Sequence, residues 1–163
     1  ALKAEDVRDF TSKLFLGEAF DGFLVKEAKI VTYNQFSIDG HIRKGYFGPG
    51  ELEEKGIEEF SSWAMVRPFC FSLIKGKKLP ESFQIVLQLP ARNTEQFAAS
   101  SGCGMDGKQI QGLYLNIRYE DGALYCITGV GLQFFTTDRT LEREWDEGVK
   151  KFLHGRGIVC SQQ

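Results

Sequence analysis

The sequence predicts a single α+β domain over residues 1–163, in which three helices pack on an antiparallel, hairpin-rich sheet. Three observations support this fold class. The length of 163 residues suits one domain with a sizeable core. The composition, 42% hydrophobic and 26% charged, is that of globular proteins. Alternating apolar runs are joined by short turn signals rather than by β-α-β crossovers, and this pattern favours an antiparallel sheet.

The first predicted element is a short helix. Val7, Phe10 and Leu14 recur at spacings of three and four residues, which is the period of one helix face. The pattern predicts a helix over Glu5–Phe15 that ends before Gly17, because glycine commonly terminates helices.

A long β-like stretch, Phe23–Ile38, follows this helix. Asp39-Gly40 is a strong hairpin turn signal, so we expect His41–Phe47 to be the returning strand. The glycine-rich run Gly45–Gly50 predicts a loop. The acidic run Glu51–Glu59 then predicts a solvated helix or loop, since it holds five acids and one base.

The middle of the chain predicts two further strands. Trp63–Ile74 is apolar, and we interpret it as a strand whose start is confined to a sheet edge or a bulge by Pro68. Lys75–Lys78 predicts a turn. Phe83–Leu89 predicts a clean strand, because Phe83, Ile85, Leu87 and Leu89 face one way. Gln84, Val86 and Gln88 face the other way.

A second short helix and a second hairpin come next. Asn93 is the expected N-cap of a two-turn helix, with Gly102 as its end. Ile110–Tyr119 and Ala123–Phe135 predict two strands joined by a turn at Asp121-Gly122.

The last predicted element is the longest helix. It begins after Thr137 or Asp138, which can cap it, and runs to about His154. Its apolar stripe predicts that Trp145 is buried in the core. The stripe consists of Leu141, Trp145, Val149, Phe152 and Leu153. Arg156–Gln163 is expected to be a tail.

The two halves of the chain share a pattern. Leu2–Phe47 and Phe83–Phe135 each predict a strand, a short helix and a hairpin, so the fold is expected to contain two β-α-β-β units. Both short helices would then lie on one face of a shared sheet, because neither is long enough to be stable alone. The C-terminal helix would cover the opposite face.

The charge balance argues against one class of partner. Twenty Lys and Arg residues face 22 Asp and Glu residues, which gives a net charge of −2. Nucleic-acid binding by bulk electrostatics usually requires a basic excess, so nucleic acid is not an expected partner. No apolar run is long enough for a membrane span, and no secretory signal is visible.

The four cysteines, at positions 70, 103, 126 and 160, are too far apart in sequence for a C-x-x-C site, and only two histidines accompany them. We therefore expect free thiols, no metal site and a cytoplasmic location.

The search for catalytic signatures finds none. The chain lacks a P-loop, a dinucleotide-binding glycine motif and a nucleophile elbow. Cys103 lies between two glycines, and we expect it to be a loop thiol without a role. His41 and His154 are expected to have surface or capping roles. The sequence therefore predicts no catalytic residue, no cofactor and no bound metal.

Two local features are candidate binding sites. Arg67 lies among the aromatic residues Trp63, Phe69 and Phe71, and an arginine stacked on an aromatic ring can hold a carboxylate or phosphate. The alternative is an arginine packed over the core edge. The second feature is three lysines in one turn, which can meet an anionic partner or simply form a solvated turn. They are Lys75, Lys77 and Lys78.

Three stretches resemble a bacterial family of unknown function. They are Leu2–Phe23, Ser37–Gly40 and Trp63–Leu89, the last reading WAMVRPFCFSLIKGKKLPESFQIVLQL. The resemblance covers nearly the whole chain. It implies a bacterial, intracellular, single-domain protein and no particular activity. The repeated β-α-β-β pattern is also similar to the repeat of DNA sliding clamps, although the basic helix faces of clamps are mostly missing here.

Three hypotheses of function follow. We favour a non-catalytic binding or assembly module whose partner is an unknown protein or another anionic molecule. The first alternative is a sliding-clamp-like module that acts near nucleic acid. The second is a small enzyme whose acid and base converge only in the fold, with Asp or Glu acting beside Arg67. The sequence leaves the oligomeric state open.

Overall fold

The computed structural model describes residues 1–51, 58–76 and 78–163. The described residues form seven strands and four α-helices. The strands are β1 (Leu2–Ala4), β2 (Leu24–Val31), β3 (Gln35–Asp39), β4 (Ser82–Gln88), β5 (Ile110–Glu120), β6 (Ala123–Leu132) and β7 (Cys160–Gln162). The helices are α1 (Val7–Phe15), α2 (Trp63–Ile74), α3 (Ala91–Ser101) and α4 (Thr140–Gly155), with a short 3₁₀ helix at Lys44–Tyr46.

The strands form one antiparallel sheet in the order β3-β2-β4-β5-β6-β1-β7. The α+β class and the antiparallel sheet are therefore confirmed, with four described helices instead of the expected three. Residues 52–57, most of the acidic run, and Lys77 lie outside the described residues.

One face of the sheet carries the core. The side chains that β4 and β5 direct to it alternate along each strand, as the period of two requires. They are Phe83, Ile85, Leu87, Leu113, Leu115 and Ile117. Buried side chains of all four helices belong to the same hydrophobic cluster. The opposite face carries polar cross-strand neighbours such as Lys29, Gln84, Arg118 and Tyr125.

The C-terminal helix α4 lies on the core face, so the expectation that it covers the opposite face is wrong. Its Asp146 accepts a hydrogen bond from Thr128, which follows buried Cys126 on the same side of β6. Trp145 is only 4% exposed, packs with buried Val149, and donates a hydrogen bond from Nε1 to the Tyr114 carbonyl at 2.9 Å. The predicted burial of Trp145 is therefore confirmed.

The predicted repeat is wrong in its strand order. β4 pairs with β5, but β1 does not pair with β2. The place beside β2 that an equivalent unit would give to β1 is taken by β4, and β1 pairs with β6 and β7 instead. The two halves share an order of elements along the chain and differ in how the sheet arranges them.

The two Asp-Gly pairs have different outcomes. Asp121 and Gly122 have φ angles of 53° and 78° and form the predicted tight turn between β5 and β6. Asp39 instead ends β3, and the chain between β2 and β3 turns through residues 32–34. His41–Phe47 is not a strand, because within it only His41 forms an isolated bridge before the 3₁₀ helix.

The interpretation of Trp63–Ile74 as a strand is wrong, because this segment is helix α2. Ser62 caps it by accepting a hydrogen bond from the Met65 N–H at 3.3 Å. Its buried residues, Trp63, Val66 and Cys70, follow the helical spacing of three and four. Apolar residues occur at both the odd-numbered and the even-numbered positions of this segment. Alternation along the sequence therefore could not distinguish a buried strand from a helix.

The remaining boundaries differ by a few residues. Helix α3 begins at Ala91 and has no side-chain cap, so Asn93 is not its N-cap, while Gly102 ends it at φ 74° as predicted. Asp138 receives hydrogen bonds from the N–H and the hydroxyl of Thr140, and both lower the pKa of its carboxyl. The expected tail after Arg156 instead contains strand β7, which pairs with β1.

Candidate functional site

Trp63 lies at the start of α2 and is fully buried. Its indole Nε1 donates a hydrogen bond to the Leu14 carbonyl at 3.0 Å, and its ring meets Phe15 edge-on at 5.9 Å. These contacts attach α2 to the end of α1. The side chain that was expected to frame a binding site is a core residue here.

Arg67 lies one turn further along α2 and is held by the protein itself. Its Nε and Nη2 donate to the two carboxylate oxygens of Asp21 at 3.0 and 2.9 Å, and its Nη1 donates to the Leu16 carbonyl at 3.3 Å. This is the bidentate geometry in which arginine binds carboxylates most strongly. The carboxylate that Arg67 holds therefore comes from its own chain.

Lys75 and Lys78 both line a groove beyond the end of α2. The groove has a volume of about 750 Å³. We call it the lysine groove; it is lined by Thr32, Tyr33, Leu73, Ile74, Lys75, Lys78, Leu79, Pro80, Glu81 and Tyr119. Lys77, the third lysine of the predicted turn, lies outside the described residues. Arg67 is eight residues from Lys75, or about 12 Å along the helix axis, so the two predicted features are separate.

The outer face of α2 is apolar and exposed. We call it the outer stripe; it consists of Met65, Pro68, Phe69 and Ser72, at the helical spacing of three and four. Met65 and Phe69 are each 67% exposed. This surface is not expected from the interpretation of the segment as a strand. The signal that could have found it is the spacing of the buried residues on the other side of the helix.

The outer stripe leads towards the lysine groove. Lys75 follows Ser72 by three residues, and Leu73 and Ile74 of α2 line the groove wall. Tyr33 and Leu79, both exposed, also line the groove. The Thr32 hydroxyl on the same wall is buried and has no hydrogen-bond partner. The structure thus places an apolar surface beside two exposed cationic side chains, Lys75 and Lys78.

The acid and base groups of the described chain do not converge on this surface. His41 lies 3.7 Å from Glu59, and both side chains are well exposed. Burial and the nearby Glu59 carboxylate raise the pKa of Tyr114, which lies on the polar face of the sheet. Burial raises the pKa of the Cys70 thiol to about 12. Among the described residues, no three His, Cys, Asp or Glu side chains are grouped to hold a metal ion.

Within the described ranges, no helix has both the length and the apolar character needed to cross a bilayer.

Comparison with known proteins identifies a family. The family of unknown function DUF5721 matches residues 13–160, from the last turn of α1 to the first residue of β7. No curated protein and no solved structure matches the chain. The expected membership of a family of unknown function is confirmed, whereas the similarity to sliding clamps is not shown.

Proposed function

Because the chain belongs to the family of unknown function DUF5721, we propose its function from its surface: a non-catalytic module that binds an acidic, amphipathic segment of a partner protein. The outer stripe of α2 would receive the apolar side chains of that segment, and the lysine groove would receive its carboxylates. The observation that carries the proposal is the exposure of Met65 and Phe69 on one helix face.

The apolar half of the proposal rests on the cost of leaving large side chains in water. Fully burying a Met or Phe side chain is worth about 1.5–3 kcal/mol. Contiguous apolar surface with a polar rim is typical of protein interaction sites, and Met and Phe are enriched in them. The stripe has both features, since its large exposed side chains are Met65 and Phe69 and its polar end is formed by Ser72, with the exposed Lys75 just beyond it.

The acidic half rests on charge complementarity. Lys75 and Lys78 are exposed and follow the end of α2, while Arg67, which lies within α2, is already paired with Asp21. Rim charges of this kind steer association and fix orientation more than they add affinity. We therefore assign the register of the bound segment to the lysines and most of its affinity to the stripe.

We favour a protein partner over nucleic acid because the chain carries a net charge of −2. The sliding-clamp alternative has lost its main support, since the predicted repeat differs in strand order. The enzyme alternative needed Arg67 beside a reactive acid, whereas Arg67 is bound to Asp21 on both carboxylate oxygens. The cytoplasmic location stays a prediction.

The test is selection of peptides from a random display library on the immobilised protein. We expect the enriched peptides to combine acidic residues with apolar residues at helical spacing. The double variant Met65→Ser/Phe69→Ser should lose these peptides, and Lys75→Glu/Lys78→Glu should weaken them in a salt-dependent way. The matched control is Phe135→Ser, which removes a phenylalanine that is 92% exposed and belongs to neither surface.

The proposal is wrong if the Met65→Ser/Phe69→Ser variant binds the selected peptides as tightly as the parent. It is replaced by a nucleic-acid or membrane function if single-stranded DNA or anionic phosphatidylglycerol vesicles bind through the lysines alone, with no effect of the stripe variant.

A further inference from the structure

Strand β3 forms one edge of the sheet and, within the described part of the chain, pairs with β2 alone. Natural edge strands are usually protected from pairing with another chain by a lysine, a proline, a bulge or a very short length. β3 is five residues long, contains neither lysine nor proline, and pairs with β2 without a bulge. The strand at the opposite edge, β7, has only three residues. β3 is therefore the edge that is open to a further strand.

Two hydrogen bonds at the ends of β3 show which of its backbone groups point towards β2. The Thr32 N–H donates to the Asn34 carbonyl at 2.9 Å, and the Gly40 N–H donates to the Lys26 carbonyl at 3.0 Å. Both pairs continue the register of β2 with β3. Hydrogen-bonded and non-hydrogen-bonded pairs alternate along an antiparallel ladder. The even-numbered residues of β3 therefore bond to β2, and the odd-numbered residues direct their N–H and C=O groups away from the sheet.

The odd-numbered residues are Gln35, Ser37 and Asp39. Among the residues that the structure describes, no backbone group forms a hydrogen bond with the outward N–H or C=O groups of these three. All three residues are exposed. The edge thus presents three regularly spaced sets of donors and acceptors, which is the pattern that an added antiparallel strand requires.

This edge is complementary to itself. In an antiparallel pair centred on Ser37, Ser37 lies opposite Ser37 of the second copy, and Gln35 lies opposite Asp39 of the second copy. All three pairs are of the hydrogen-bonded type, so each exchanges two backbone bonds. Each carboxylate lies opposite an amide and not opposite another carboxylate. The half-buried Phe36 lies opposite Ile38 of the second copy, and aromatic and β-branched residues are favourable cross-strand neighbours.

We propose that β3 is the interface of a symmetric homodimer, in which the β3 strands of two copies pair antiparallel about Ser37 and join both sheets into one. A two-fold interface requires a surface that is complementary to itself, and the register about Ser37 meets this requirement in its hydrogen bonds, charges and apolar neighbours. A second copy is therefore the occupant of this edge. The interface goes beyond the proposed peptide-binding function, because it contains no residue of the outer stripe.

Sedimentation velocity over a concentration series tests the dimer. We expect the parent chain to change from monomer to dimer as its concentration rises, with weak affinity because the contact is small. Ser37→Pro removes an outward N–H and no bond between β2 and β3, so it should abolish the dimer at concentrations where the parent dimerises. The matched control is Ser37→Ala, which keeps the N–H and should dimerise like the parent.

A charge exchange at Ser37 tests the register. Ser37→Lys and Ser37→Asp should each be monomeric, because each places like charges directly opposite one another in the pair. An equal mixture of the two variants should recover the dimer. Recovery also shows that both variants fold, so a failure of Ser37→Pro to fold does not decide the outcome. Met65→Ser/Phe69→Ser should dimerise like the parent, which separates this interface from the outer stripe.

Three results would overturn the proposal. The first is a parent chain that stays monomeric at about 1 mM, which would leave the edge to a strand of a different protein. The second is a Ser37→Pro variant that dimerises like the parent, or a mixture of the two charged variants that stays monomeric. The third is a dimer that is lost in Met65→Ser/Phe69→Ser, since the interface would then be the outer stripe.

Discussion

At the scale of single residues, Gly40 shows how one missing side chain permits a close backbone crossing. A Cβ atom on Gly40 would lie 1.8 Å from the Val25 carbonyl oxygen, which is far inside contact distance. The Gly40 N–H donates to the Lys26 carbonyl at 3.0 Å, and the Gly40 carbonyl accepts from the Ser61 N–H at 2.8 Å. Gly40 therefore joins β2 to the segment before α2, and we assign its role to this crossing and not to a hairpin turn.

We predict that Gly40→Ala destabilises the protein by about 1–3 kcal/mol or more, because the added methyl group must displace backbone instead of a flexible side chain. The control is Gly45→Ala, where an added Cβ meets nothing within 4 Å and the change should stay within about 0.5 kcal/mol. Urea denaturation followed by far-ultraviolet circular dichroism measures both. Equal free energies of unfolding for the two variants would contradict the role assigned to Gly40.

At the scale of elements, α2 is the helix whose sequence fits its structure least well. Pro68 lies at its sixth residue, where it removes one backbone hydrogen bond and crowds the preceding turn. The residue is exposed and contributes no core packing. The helix persists because Trp63, Val66 and Cys70 are buried and because Arg67 is bound to Asp21. Tertiary contacts thus override a local preference against helix.

We predict that Pro68→Ala raises the free energy of unfolding by about 2–2.6 kcal/mol. An interior proline costs a helix about 3 kcal/mol, while the more flexible alanine costs about 0.4–1 kcal/mol through the unfolded chain. Urea denaturation gives the value. Ser72→Ala, an exposed change on the same helix face, should alter stability by less than about 0.7 kcal/mol. A Pro68→Ala protein no more stable than its parent would show that the proline is required for packing.

At the scale of the whole molecule, the buried apolar residues form one hydrophobic cluster that extends across the sheet. The chain contains two tryptophans, and both are buried in this cluster. Trp63 packs between α1 and α2, whereas Trp145 packs between α3 and α4. The single domain over residues 1–163 stays a prediction, and it implies that this core unfolds as one unit, because a domain buries a core of its own.

We predict that the two ends of this core unfold together. In Trp63→Phe the fluorescence comes from Trp145, and in Trp145→Phe it comes from Trp63. Within each variant, the urea transition seen by fluorescence should coincide with that seen by far-ultraviolet circular dichroism. A fluorescence transition that precedes the circular dichroism transition in either variant would divide the chain into two units.

The local sequence determined those elements whose apolar residues recur with a single period, either that of a strand or that of a helix. In Phe83–Leu89 every second residue is a large apolar one, and the segment forms most of β4 (Ser82–Gln88). The Asp121-Gly122 turn joins β5 to β6 because glycine and aspartate tolerate positive φ angles. The stripe that includes Leu141 and Trp145 predicted α4, since its spacing suits a helix and not a strand. Each of these signals is complete within a few residues of chain.

Only the tertiary structure decided the features that depend on distant contacts. Trp63–Ile74 has apolar residues at both odd and even positions, so its own pattern fits a strand and a helix equally well. Its contacts with α1 favour the helix. The pairing of β1 with β6 and β7 joins the two ends of the chain, and no local signal encodes it. The outer stripe and the lysine groove also depend on these contacts, because the packing of α2 determines which of its side chains remain exposed.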